Sequence, residues 1–123
     1  MKNIFRTGSS LLGEIVSATE NITYFFEPMH PLKNHLNSAG LTAPVTEIVN
    51  NFLTNSMFCK EEALNVILKD KFITNRSRNI LSCSSESNVA IKSIRLSAEN
   101  VKMFLTKSNE ANDADFKIIH LFR

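Results

Sequence analysis

No stretch of this chain is long and apolar enough to span a membrane: none of its apolar runs approaches the ~18 residues required. Met1 to Phe5 carries one Lys, no extended apolar stretch and no small-residue cleavage site, so it does not read as a signal peptide, and taken literally the chain is cytosolic. There is no dense block of Lys or Arg, and the formal net charge is only +2, which removes the footprint of a non-specific nucleic-acid binder. Cysteine is scarce. Neither Cys59 nor Cys83 has a second Cys or a His at metal-ligand spacing, so zinc sites of the finger type are excluded. The pair reads either as two free buried thiols or as one disulfide, which needs an oxidising compartment. Internal repeats and low-complexity tracts are absent.

What is present is an ordinary globular balance of 43% hydrophobic and 21% charged residues over 123 positions. A chain of this length buries roughly two-thirds of its unfolded surface, enough for one domain with a core.

Patterning along the chain alternates between strand and helix. Asn3 to Phe5 is the tail of an apolar strand. Arg6 to Ser10 is a small polar loop, with Ser9 or Ser10 able to cap a helix carrying Leu11, Leu12, Ile15 and Val16. Ile22 to Phe26 is a β-branched and aromatic run of strand length, ended by Glu27-Pro28. Pro44 suits the first turn of a helix whose stripe is Val45, Ile48, Val49, Phe52 and Leu53. A second helix is expected from about Lys60 to Lys69, with Ala63, Leu64, Ile67 and Leu68 inward. Asn75 to Asn88 is rich in Ser and Asn and reads as an exposed loop. Val89 to Leu96 reads as a strand, Ser97 as the cap of a helix carrying Val101, Phe104 and Leu105, and Phe116 to Phe122 as a final strand. This succession predicts an α/β fold with a parallel sheet. The chain starts just before its first loop and stops on the end of an apolar strand, so further sheet neighbours are expected.

The strand–loop–helix unit at Arg6-Thr7-Gly8-Ser9-Ser10 is an anion site by geometry. Unpartnered N–H groups and the helix dipole favour negative charge, Gly8 admits close backbone approach, and Arg6 can fork onto phosphate or sulfate oxygens. It lacks the G-x-x-x-x-G-K-[ST] pattern of an ATP- or GTP-hydrolysing loop. A helix cap with an incidental Arg remains the alternative reading of the pentapeptide.

Four segments, in order, carry a resemblance to a known family. Arg6-Thr7-Gly8-Ser9-Ser10-Leu11-Leu12-Gly13-Glu14 resembles the 5′-phosphosulfate-binding motif of Golgi carbohydrate sulfotransferases. The similarity is to the branch acting on N-acetylglucosamine, galactose or N-acetylgalactosamine, often at O6. Tyr24-Phe25-Phe26-Glu27-Pro28-Met29-His30 resembles that family's aromatic Glu-Pro motif, with Met29 and His30 where relatives often carry Trp. Ile91-Lys92-Ser93-Ile94-Arg95-Leu96 resembles its Lys-x-x-Arg-Leu strand, and Lys117-Ile118-Ile119-His120-Leu121-Phe122-Arg123 the strand opening its 3′-phosphate motif.

The resemblance implies a P-loop-like three-layer sandwich with a central parallel sheet, of which residues 1–123 would be an incomplete part. The family's membrane anchor and stem would lie before it, and the Asp-Pro-Arg continuation of the 3′-phosphate motif after it. It implies transfer of a sulfuryl group from 3′-phosphoadenosine-5′-phosphosulfate to a sugar hydroxyl of a glycan, without a metal and without nucleic acid. A chain ending at Arg123 is expected to be inactive on its own. The alternatives are another P-loop-like phosphotransferase, or a truncated, non-catalytic gene product.

The same resemblance assigns Arg6, Thr7, Gly8, Ser9 and Ser10 to the phosphosulfate and Arg123 to the 3′-phosphate. Glu27 is the implied general base, at the carboxyl end of a strand where open α/β sheets place their sites; otherwise it is a solvated strand-end carboxylate. His30 is the rival base by its titration range, or else a surface loop His. Lys92 and Arg95 contact donor or acceptor, or are strand-edge charges. His35 has no supporting context, and His120 reads as a packed core residue. A Golgi lumen further implies a Cys59–Cys83 disulfide and glycosylation at Asn75, and less directly at Asn21, each in an Asn-x-Ser/Thr triplet.

Overall fold

The structure is a computed structural model, and it describes residues 2–5, 21–32, 43–93, 98–107 and 116–119. Its centre is a four-stranded parallel sheet of β1 (Lys2–Phe5), β2 (Ile22–Phe26), β3 (Asn88–Lys92) and β4 (Phe116–Ile119), in the order β2-β3-β1-β4. Between β2 and β3 come α1 (Ala43–Met57), α2 (Glu61–Ile67) and α3 (Lys71–Thr74), and α4 (Ala98–Lys107) connects β3 to β4. None of the described helices is long and apolar enough to cross a membrane.

Strand residues alternate between two faces. Thr23 is level with Val89 and Phe25 with Ile91, and Phe25, Val89 and Ile91 point into the main core. That core is completed by Val49, Leu53 and Met57 of α1, Ile67 of α2, Ile73 of α3, and Val101 and Phe104 of α4. On the opposite face Tyr24 and Ala90 form a second buried cluster with Ile22 and Phe26. Burial on both faces is what a parallel sheet requires. The crossovers β2→β3 and β3→β4 step the same way across the sheet, so connections of one hand must lie on one face; α1 and α4 do pack together over the Phe25–Ile91 face.

α1 turns Val49, Leu53 and Met57 inward, four residues apart, while Ile48, expected on the buried stripe, is 42% exposed. The helix ends in a Schellman arrangement: Lys60 N–H donates to Asn55 O at 2.8 Å and Cys59 N–H to Ser56 O at 3.2 Å, with Cys59 in the left-handed region at φ 56°. The helix expected from about Lys60 to Lys69 is present as α2, although Leu68, just past its end, is exposed rather than inward, and after a break the short α3 follows. Asp70 explains the break: its Oδ1 accepts from the backbone N–H of Phe72 (3.0 Å) and Ile73 (3.3 Å), a cap that competes with continued helix.

The segment after α3, expected as an exposed loop from Asn75 to Asn88, is mostly exposed, and it also pairs with the sheet. It lies along the outer edge of β2. Tyr24 N–H donates to Arg78 O at 3.0 Å and Arg78 N–H returns to Tyr24 O at 2.9 Å. Phe26 N–H donates to Ser77 Oγ at 2.9 Å, and Asn79 Nδ2 to Ile22 O at 2.9 Å. An edge strand would otherwise present these groups to any passing chain. The cover is tied down by a Cys59–Cys83 disulfide, Cα atoms 5.5 Å apart, which joins it to the α1–α2 corner.

Candidate functional site at the carboxyl edge of the sheet

The strands finish level. Phe26 is registered with Lys92, Lys92 with Phe5, and Phe5 with Ile119. Arg6 follows Phe5 in the chain, Glu27 follows Phe26, Ser93 follows Lys92 and His120 follows Ile119. The strand order also puts a switch point here. The strand after β1 lies to one side of it, and the strand after its neighbour β3 lies to the other. Open α/β sheets bind ligands outside the carboxyl ends at such a point.

Two polar pairs occupy the described part of this edge. In the first, Lys92 Nζ lies 3.1 Å from Glu27 Oε1, with side-chain exposures of 5% and 2%. Their backbones are joined as well, Glu27 N–H donating to Lys92 O at 2.8 Å. Lys92 Nζ also sits 4.6 Å from the centre of the Phe26 ring, its direct cross-strand neighbour. Glu27 adopts φ 51°, although it is not glycine and precedes Pro28. Such a backbone is strained by about 1–3 kcal/mol and persists where surrounding contacts over-determine it. The solvated strand-end carboxylate weighed from sequence is therefore not what Glu27 is.

In the second pair His30 Nδ1 lies 2.7 Å from Asp70 Oδ2. His30 arrives here through the Glu27 turn, its N–H donating to Glu27 O at 3.0 Å. Its ring rests against that of Phe72, centroids 4.5 Å apart. Phe72 in turn meets Phe26 edge-on at 5.6 Å and carries the Arg76 guanidinium 4.9 Å above its centre. Burial alone would raise the Asp70 carboxyl. The hydrogen bonds from His30, Ile73 and Phe72, together with the charge of His30, outweigh it and hold the group below its ordinary 3.8.

Among the described residues no buried side-chain nitrogen or oxygen lacks a partner, and no group of three potential metal ligands gathers. At the other end of the sheet a pocket of about 550 Å³ is lined by Asn21, Ile22, Thr23, Asn79, Ser82 and Ser87, none of them titratable.

Of the residues singled out from sequence, the structure brings Glu27, His30 and Lys92 to one edge. Asn21 is exposed at the amino end of β2, and Asn75 is exposed at the end of α3. The Asn75 triplet has its Ser77 hydroxyl engaged, donating to Ile73 O at 2.6 Å. Arg6, Thr7, Gly8, Ser9, Ser10, His35, Arg95, His120 and Arg123 lie outside the described residues. Sequence reasoning missed Asp70, Phe72 and Arg76. The signal for Asp70 was available, as an Asp preceding the apolar Phe72-Ile73 is an N-cap candidate.

No family model matches the chain, and neither a curated protein nor a solved structure matches it.

Proposed function

We propose that this chain is part of a carbohydrate sulfotransferase domain of P-loop-like three-layer α/β architecture. It would move a sulfuryl group from 3′-phosphoadenosine-5′-phosphosulfate to a sugar hydroxyl of a glycan, O6 of N-acetylglucosamine or galactose being the acceptor position the resemblance favours. The observation that carries this reading is the level carboxyl edge. β1 directly precedes Arg6 in the chain, β2, β3 and β4 carry the first residues of the other three segments, and these strands end in one row around the switch point between β1 and β3.

In this reading Arg6, Thr7, Gly8, Ser9 and Ser10 hold the phosphosulfate, Arg123 holds the 3′-phosphate, and Lys92 and Arg95 supply further positive charge. Sulfuryl transfer requires in-line attack on sulfur, neutralisation of the leaving phosphate and removal of the hydroxyl proton. Glu27 and His30, which the structure puts on either side of one turn, are the two bases available for the last task. The Cys59–Cys83 disulfide fits an oxidising compartment such as the Golgi lumen.

Calorimetric titration of the 123-residue chain with the sulfate donor and, separately, with ATP tests the reading. Binding of the donor but not ATP, abolished by Arg6→Ala, is expected. Equal binding of ATP would favour a P-loop-like phosphotransferase instead, and no binding of either would leave a non-catalytic chain.

A further inference from the structure

We infer that His30 is the group that accepts the proton of the attacking sugar hydroxyl and that Asp70 is its positioning residue, an assignment that rests on the sulfotransferase reading above. An ionised carboxylate only accepts hydrogen bonds. The 2.7 Å contact from Asp70 Oδ2 therefore places a proton on His30 Nδ1. In the neutral ring the lone pair then belongs to Nε2, the nitrogen on the far side of the imidazole.

Three observations make this a held arrangement. Asp70 is itself fixed, since Oδ1 accepts from Phe72 and Ile73 N–H while Oδ2 faces His30. The imidazole face is backed by Phe72, with 31° between the ring planes. Among the described residues, Asp70 is in direct contact with His30 and Arg76 lies beyond the Phe72 ring. Asp70, held below its ordinary value, stays ionised at neutral pH. His30 keeps 22% of its side chain exposed. Glu27 is differently placed: its side chain is 2% exposed and engaged by Lys92. Its contribution is the strained turn whose carbonyl receives the His30 N–H.

The step is then balanced as follows. The sugar O–H proton passes to His30 Nε2 as the sugar oxygen forms a bond to sulfur. The bond from sulfur to the phosphate oxygen breaks, and its electron pair stays on that oxygen. The products are the sulfate ester and adenosine 3′,5′-bisphosphate, and imidazolium later returns its proton to water. Asp70 stabilises the imidazolium without taking its proton.

The test needs no turnover. Nitrogen-15 NMR of the histidine-labelled chain reads the tautomer, and peptide mass spectrometry reads the rate at which diethylpyrocarbonate carbethoxylates each His. Expected are a protonated Nδ1 at His30, loss of that preference in Asp70→Asn, and a several-fold slower His30 modification in the variant, with His35 and His120 unchanged. Asn caps helices as well as Asp does, so a purely structural role for Asp70 would leave both readouts in place. A lone pair on Nδ1, or a variant that changes neither readout, overturns the assignment and returns the role to Glu27. The donor titration of the same chain separates the two failures. An intact tautomer without donor binding removes the sulfotransferase reading, and with it the role given to His30.

Discussion

Lys92 and Glu27 are paired twice, through a 3.1 Å contact between their side chains and a 2.8 Å hydrogen bond between their backbones. They lie 65 positions apart in sequence and meet because β2 and β3 are neighbours. Removing both charges from water carries a penalty of several kcal/mol per ion. The Phe26 face beneath Lys92 Nζ and the backbone link offset part of it.

A buried pair of this kind is costly to break and cheap to replace. Glu27→Gln or Lys92→Met alone should destabilise the chain by about 3–5 kcal/mol. The double variant should lose clearly less than the sum, as measured by urea unfolding. Additive losses would mean that the two side chains do not depend on one another.

The disulfide closes a loop with a sequence separation of 24. Constraining such a loop in the unfolded chain contributes roughly 3 kcal/mol. Cys59→Ser with Cys83→Ser should lower stability by about that much. It should also speed amide exchange at Tyr24 and Phe26, whose N–H groups are covered by Arg78 and Ser77. Exchange that quickens evenly through the sheet would show that the bridge does not act through the β2 edge.

Asp70 sets an acid limit. Its carboxyl titrates below 3.8 when folded, so the stability it contributes is fully present above that value and is lost as pH falls through the lower folded value. Wild-type chain should lose stability on acidification more steeply than Asp70→Asn in the region below pH 4, by thermal unfolding at stepped pH. Parallel acid limbs would contradict it.

Ser77→Ala should cost about 1–3 kcal/mol, because Phe26 N–H loses its acceptor on a partly buried edge. Ser77→Thr keeps the hydroxyl and should recover most of it. A neutral Ser77→Ala would show that Phe26 finds another partner.

The strands and α1 were legible because their signals are local. Ile22 to Phe26 is β-branched and aromatic, and Pro44 opens an apolar stripe at helical spacing. What escaped is contact between distant segments. His30 and Asp70 are 40 positions apart, and nothing near either names the other. The edge cover at Ser77, Arg78 and Asn79 has the composition of a loop and pairs through a single bridge, so periodicity has nothing to detect. Glu27 showed its place at a strand end but not its burial, which depends on Lys92 arriving alongside.

The central claim is that the carboxyl edge binds the sulfate donor, and amide chemical-shift mapping of the 123-residue chain during donor titration tests it most directly. The account predicts shifts concentrated at Phe5, Glu27, Lys92 and Ser93, with ATP failing to reproduce them. Shifts at Asn21, Asn79 and Ser87 around the opposite pocket, or none at any donor concentration, would contradict it.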